Sequence, residues 1–108
     1  MPSNSTRRYP RMKSPEGLNV AWLSGTLRFV SRVQTLSLGG LFIRTKKPPQ
    51  TGTMIQFLID IPGNGVPARA VVRDVTPGEG MGVGIVAMSQ EDRARYFTFL
   101  NKLQSVTS

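Results

Sequence analysis

The sequence predicts a mainly β domain: about six antiparallel strands in a barrel or sandwich, followed by one C-terminal helix. Three observations predict it. Short apolar stretches with period-two alternation follow one another from residue 18 to residue 88. Turn signals rich in Gly and Pro separate them, with no long crossover of the kind parallel strands need. After Ser89 the apolar spacing changes from that of a strand to that of a helix.

Taken in order, residues 1–16 are polar and basic and carry Pro2, Pro10 and Pro15. They read as an arm rather than a core element. The arm holds Arg7, Arg8, Arg11 and Lys13, with no acid before Glu16. "LNVAWLS" is the first strand and contains the single Trp, Trp22; Ser24-Gly25 ends it. "TLRFVSRVQ" alternates, with Leu27, Phe29, Ser31 and Val33 on one face and Arg28, Val30, Arg32 and Gln34 on the other. "GLFIRT" is short. "KKPPQTG" is a loop, because its two prolines cannot serve a central ladder. "MIQFLIDI" turns Ile55, Phe57, Ile59 and Ile61 inward, "PGNG" is a turn, and "VPARAVVRDV" puts Val66, Ala68, Ala70 and Val72 on one face. "TPGEG" is another turn. "MGVGIVAM" is the last strand, where Gly82 and Gly84 mark a bulge or a close backbone approach. In "QEDRARYFTFLNKLQ", Ser89 and Asp92 have capping-box spacing, Glu91 and Asp92 suit the positive end of the helix dipole, and Tyr96, Phe99, Leu100 and Leu103 form the packing stripe. The expected organisation is an arm at 1–15, a barrel with its helix at 16–104, and a tail at 105–108.

Composition narrows the chemistry. At 108 residues the chain suits one domain that buries a core without staples. It contains no Cys, which excludes disulfides and thiolate metal sites, and no His, the commonest general base and metal ligand. The six acids are scattered and form no recognisable catalytic pair. The expectation is therefore a protein without catalytic activity and without a cofactor. The balance of 14 basic to 6 acidic residues, net +8, favours anionic partners. No stretch reaches the ~18 apolar residues that span a bilayer. The start has no apolar h-region, so the expected location is the cytoplasm.

Two short motifs stand out. In "TLSLGG", residues 35–40, the glycines permit φ > 0 or close approach to the main chain, and a Ser hydroxyl beside backbone N–H groups makes an anion seat. Turn chemistry alone also explains Ser and Gly there. In "RRYPR", Arg7 and Arg11 are four residues apart; arginine forks bind phosphate bidentately and stack on bases. The same spacing recurs at Arg28/Arg32 and Arg69/Arg73. Those pairs fall on strands, about 13 Å apart, and read as solvated outer faces that widen a basic patch.

The order of parts resembles a PilZ domain, the bacterial receptor module for cyclic di-GMP, over about residues 6–104. An Arg-x-x-x-Arg arm precedes the strands, a Ser-x-x-Gly turn follows the second of them, and a Gly-containing last strand leads to the helix. The family pattern, R-x-x-x-R then [D/N]-x-S-x-x-G, falls on Arg7, Arg11, Ser37 and Gly40, and its Asp/Asn position is occupied by Thr35. The resemblance implies a six-stranded antiparallel β-barrel with a C-terminal helix. It also implies that Arg7 and Arg11, with Arg8 between them, grip guanine and phosphate, that Ser37 contacts phosphate, and that Gly40 allows the turn. Thr35 stands where the family reads the guanine edge.

The expected function is a cyclic di-GMP receptor that passes the signal to a protein partner by ordering its arginine arm. The alternative is an adaptor of the same fold that binds a protein without the nucleotide; Thr35 favours it and the intact arginine pair opposes it. Binding of single-stranded nucleic acid fits the charge but lacks the exposed stacking aromatics such sites use.

Overall fold

The chain is described from a computed structural model covering residues 11–62 and 64–107, with side chains for 11–62 and 65–103. Its elements are β1 (Met12–Lys13), β2 (Asn19–Ser24), β3 (Leu27–Ser37), β4 (Gly40–Arg44), β5 (Met54–Ile61), β6 (Asn64–Thr76), β7 (Gly80–Ala87) and α1 (Gln90–Thr107). All pairings are antiparallel and run β1-β3-β2-β5-β6-β7-β4, and β4 returns to β3. Six strands therefore close on themselves and β1 is an extra strand outside the closure. The barrel expected from the sequence is the observed one.

The alternation read from the sequence sets the wall. Along β5 buried and exposed residues alternate without a break. Ile55, Phe57, Ile59 and Ile61 join Val66, Ala68, Ala70 and Val72 of β6 in the core. Trp22 is 1% exposed. Its ring stacks on Phe29 of β3 with centroids 4.3 Å apart, and its Nε1 donates to Ser31 Oγ at 3.0 Å. A buried indole thus has its one polar atom satisfied.

Three features differ from the sequence reading. The arm segment contributes β1, a strand the alternation could not reveal in two residues. β6 begins at Asn64, inside the expected "PGNG" turn, and the space over Gly65 is filled by Leu58, whose Cδ1 lies 2.8 Å from where a Cβ would stand. β3 runs through Ser37, so Thr35 and Ser37 are strand residues and only Leu38 and Gly39 separate β3 from β4.

The helix caps as its sequence implies. Ser89 Oγ accepts from Asp92 N at 3.1 Å and donates to Asp92 Oδ2 at 2.9 Å. Tyr96 and Leu100 are buried in the barrel core, with Phe99 and Leu103 packed against it. Arg95, paired with Asp92 at 2.8 Å, also donates to Gly65 O at 3.2 Å and ties the helix to the start of β6. Among the described residues, no helix is long and apolar enough to cross a membrane.

Candidate functional site

The site begins with a break in β3. Pairing of β3 with β4 steps from Val33↔Ile43 to Thr35↔Phe42, leaving Gln34 as an extra residue. Residues 29, 31 and 33 face inward, so unbroken alternation would carry Thr35 and Ser37 into the core. The bulge shifts the phase by one. Leu36 and Leu41 become core residues, and the pairs Thr35–Phe42 and Ser37–Gly40 fall on the outer face.

β1 then runs along this stretch, with Met12 opposite Leu36 and Lys13 opposite Thr35. Ser14 N donates to Gln34 O at 3.0 Å. The same register carried one residue further sets Arg11 across from Ser37. Arg11 is exposed. The structure therefore brings Arg11, Thr35, Ser37 and Gly40 to one patch of the barrel wall. Arg7 and Arg8 lie outside the described residues.

The "LSLGG" backbone is held by side-chain chemistry. Ser37, 8% exposed, accepts from Gly39 N at 3.2 Å and donates a long bond to Gly40 O at 3.4 Å. This Ser-to-backbone turn uses the hydroxyl and one of the N–H groups that the sequence suggested for an anion seat. Positive φ is not the reason for these glycines: among the described residues the glycines with that conformation are Gly17, Gly25, Gly52 and Gly78. At Gly40 the reason is space, since a Cβ there would collide with the Val83 carbonyl oxygen of β7. Thr35 Oγ1 is buried and has no hydrogen-bond partner among the described residues. Such an unpaired hydroxyl costs about 1–3 kcal/mol.

From below, the turn is fixed by the helix. Tyr96 OH donates to Ser37 O at 2.6 Å, and burial pushes the phenol well above its ordinary range. In the unfolded chain a tyrosine ionises near pH ~10. Below that both states keep the proton and pH has no effect through this group. Above it the unfolded chain loses its proton first, so stability falls as pH rises. We expect Tyr96→Phe to lose about 1–3 kcal/mol at neutral pH. The decline of stability above pH ~10 should also be shallower than in the parent protein. Urea unfolding at pH 7 and above pH 10 checks both; parallel curves for the two proteins would contradict the assignment.

Basic residues surround the patch. Lys13, Arg32 and Arg44 line a cleft beside β1 with Gln34 and Glu16, and Arg44 Nη1 donates to Gln34 Oε1 at 3.5 Å. Lys13 and Arg44 carried no motif signal. Arg32 did, through its spacing from Arg28, and its position widens the basic surface. Among the described residues no group of three or more acidic, His or Cys side chains is placed to hold a metal.

The family model of the PilZ domain matches residues 5–102. Compared with curated proteins, the chain has no match. Among solved structures it is similar to the Bacillus subtilis inhibitor of motility (MotI/DgrA), with TM-score 0.78 and 17% identity over 91% of this chain and 51% of that one. It is also similar to MrkH of K. pneumonia, solved as a complex with c-di-GMP, with TM-score 0.78 and 14% identity over 94% and 53%. The chain thus spans about half the length of these two. The PilZ domain of YcgR from Escherichia coli, solved with c-di-GMP, aligns at TM-score 0.73 and 19% identity over 94% of this chain and 93% of that one.

Proposed function

The chain belongs to the PilZ domain family, and from that premise we propose that it is a non-catalytic receptor for cyclic di-GMP. The single observation that supports this reading is the register of β1, Met12 opposite Leu36 and Lys13 opposite Thr35, whose continuation by one residue leads Arg11 toward Ser37, the partner of Gly40. Arg7 and Arg11 take the phosphates and a guanine face, Arg8 adds to the grip, and Ser37 and Gly40 supply the turn on which a phosphate rests. The known ligands of MrkH and YcgR support the choice of nucleotide. Absence of His and Cys supports binding rather than catalysis. Ligand closes the arginine arm on the barrel wall, and the altered surface is what a protein partner in the cytoplasm reads.

A second reading has one observation in its favour. Thr35 stands at the position that reads guanine in the family, and its hydroxyl is covered. On this reading the chain is an adaptor that binds a protein without the nucleotide.

Calorimetric titration with cyclic di-GMP, beside the linear dinucleotide and cyclic di-AMP, decides between them. Selective heat supports the receptor; no heat at high ligand concentration, confirmed by an optical assay, overturns it. Thr35→Asp is expected to strengthen binding roughly ten- to hundredfold by restoring one charge-assisted hydrogen bond. Equal affinities for the two proteins would remove Thr35 from the contact set.

A further inference from the structure

Arg73 sits at a second bulge. Pairing of β6 with β7 steps from Val72↔Val83 to Asp74↔Gly82, so Arg73 is the extra residue. A bulge re-aims the side chain it inserts. Here the arginine lies flat over β7: a Cβ placed on Gly84 would stand 2.9 Å from Arg73 Cζ and 3.0 Å from Cδ, and would collide with Nε. Gly84 pairs with Gly40, and Gly40 pairs with Ser37. Ser37, Gly40 and Gly84 thus form one row across three strands. The row spans two strand spacings, about 10 Å. The register of β1, continued to Arg11, leads to the Ser37 end of the row, the Arg73 guanidinium lies over Gly84 at the other, and Gly40 and Gly84 carry no side chain. Arg73 is exposed and makes no hydrogen bond or ion pair among the described residues, although Asp74 is its neighbour.

We propose that Arg73 is a further ligand-binding residue, contacting the end of cyclic di-GMP that lies away from the arginine arm. This rests on the receptor reading above. A cyclic dinucleotide carries two phosphodiesters and two purines, enough groups for guanidiniums at both ends of the row. A guanidinium held flat beside the turn offers its fork to a phosphate or its face to a purine. Arg28 and Arg69, the remaining strand arginines outside the cleft beside β1, are placed differently. Arg28 pairs with Leu23 of β2; Arg69, although on β6 like Arg73, pairs with Gln56 of β5 and lines a cleft with Leu23, Met54 and Gln56, on the side of β6 away from β7 and β4.

The test is calorimetric titration with cyclic di-GMP of the parent protein, Arg73→Ala, Gly84→Ala and the control Arg69→Ala, with melting followed in each. Arg73→Ala should weaken binding roughly ten- to hundredfold with melting unchanged. Gly84→Ala should weaken it in the same direction, because the added methyl displaces a flexible guanidinium rather than backbone. Arg69→Ala should bind as the parent does. If the parent binds and Arg73→Ala binds equally well, this role for Arg73 is wrong and the receptor reading stands. If the parent does not bind, both fail.

Discussion

Arg11→Ala is expected to lower affinity for cyclic di-GMP by at least about a hundredfold, which leaves no measurable heat in a standard titration. A guanidinium forked on a phosphate makes two charge-assisted bonds, each worth about 1.5–3 kcal/mol. Two such bonds correspond to more than two orders of magnitude in Kd. The fold should survive. Arg11 is exposed, precedes β1, and contributes nothing to the core. An exposed substitution of this kind shifts stability by about 0.5 kcal/mol or less. Titration and thermal melting of the same preparation therefore read separate quantities. Intact binding by Arg11→Ala would mean that the register of β1 against "TLS" has no part in ligand recognition.

The second large effect concerns the core. Trp22→Ala is expected to destabilise the barrel by about 3–5 kcal/mol. The substitution removes the largest fully buried side chain, the stacking partner of Phe29 and the donor to Ser31 Oγ. A domain of this size has a total stability of roughly 5–15 kcal/mol, so a large share is lost and the unfolded state becomes populated under mild denaturant. Trp22→Phe keeps most of the buried area and should cost less than half as much, about 1–2 kcal/mol. Urea unfolding monitored by circular dichroism measures both. A small loss in Trp22→Ala would mean that the neighbouring strands collapse into the vacated volume.

Much of the barrel was legible in the sequence because strands with one buried face write their period into it. β5 and β6 show this best: every second residue from Ile55 to Ile61 and from Val66 to Val72 is core. The helix cap was legible too, since Ser89 and Asp92 act locally. The outer face of the site was not. Whether Thr35 and Ser37 point in or out depends on the bulge at Gln34, and a bulge is a relation between two strands that neither strand's residue pattern records. Arg73 was hidden in the same way: its spacing from Arg69 is that of Arg28/Arg32, and only the step between Val72 and Asp74 in the β6–β7 ladder separates its position from an ordinary outward one. The closeness of Gly40 to Val83 depends on a pairing between residues far apart in the chain, which periodicity does not encode.

The short strand β1 has a consequence for self-association. β2 covers β3 only from Leu27 to Arg32, and the continuation of that side at Thr35 and Leu36 is met by β1 alone. Each of the six strands of the wall pairs with a neighbour on both sides. Met12 and Lys13 thus guard this seam. Whatever lifts them exposes main-chain donors and acceptors on a sheet edge, the place where one protein copy most readily recruits another.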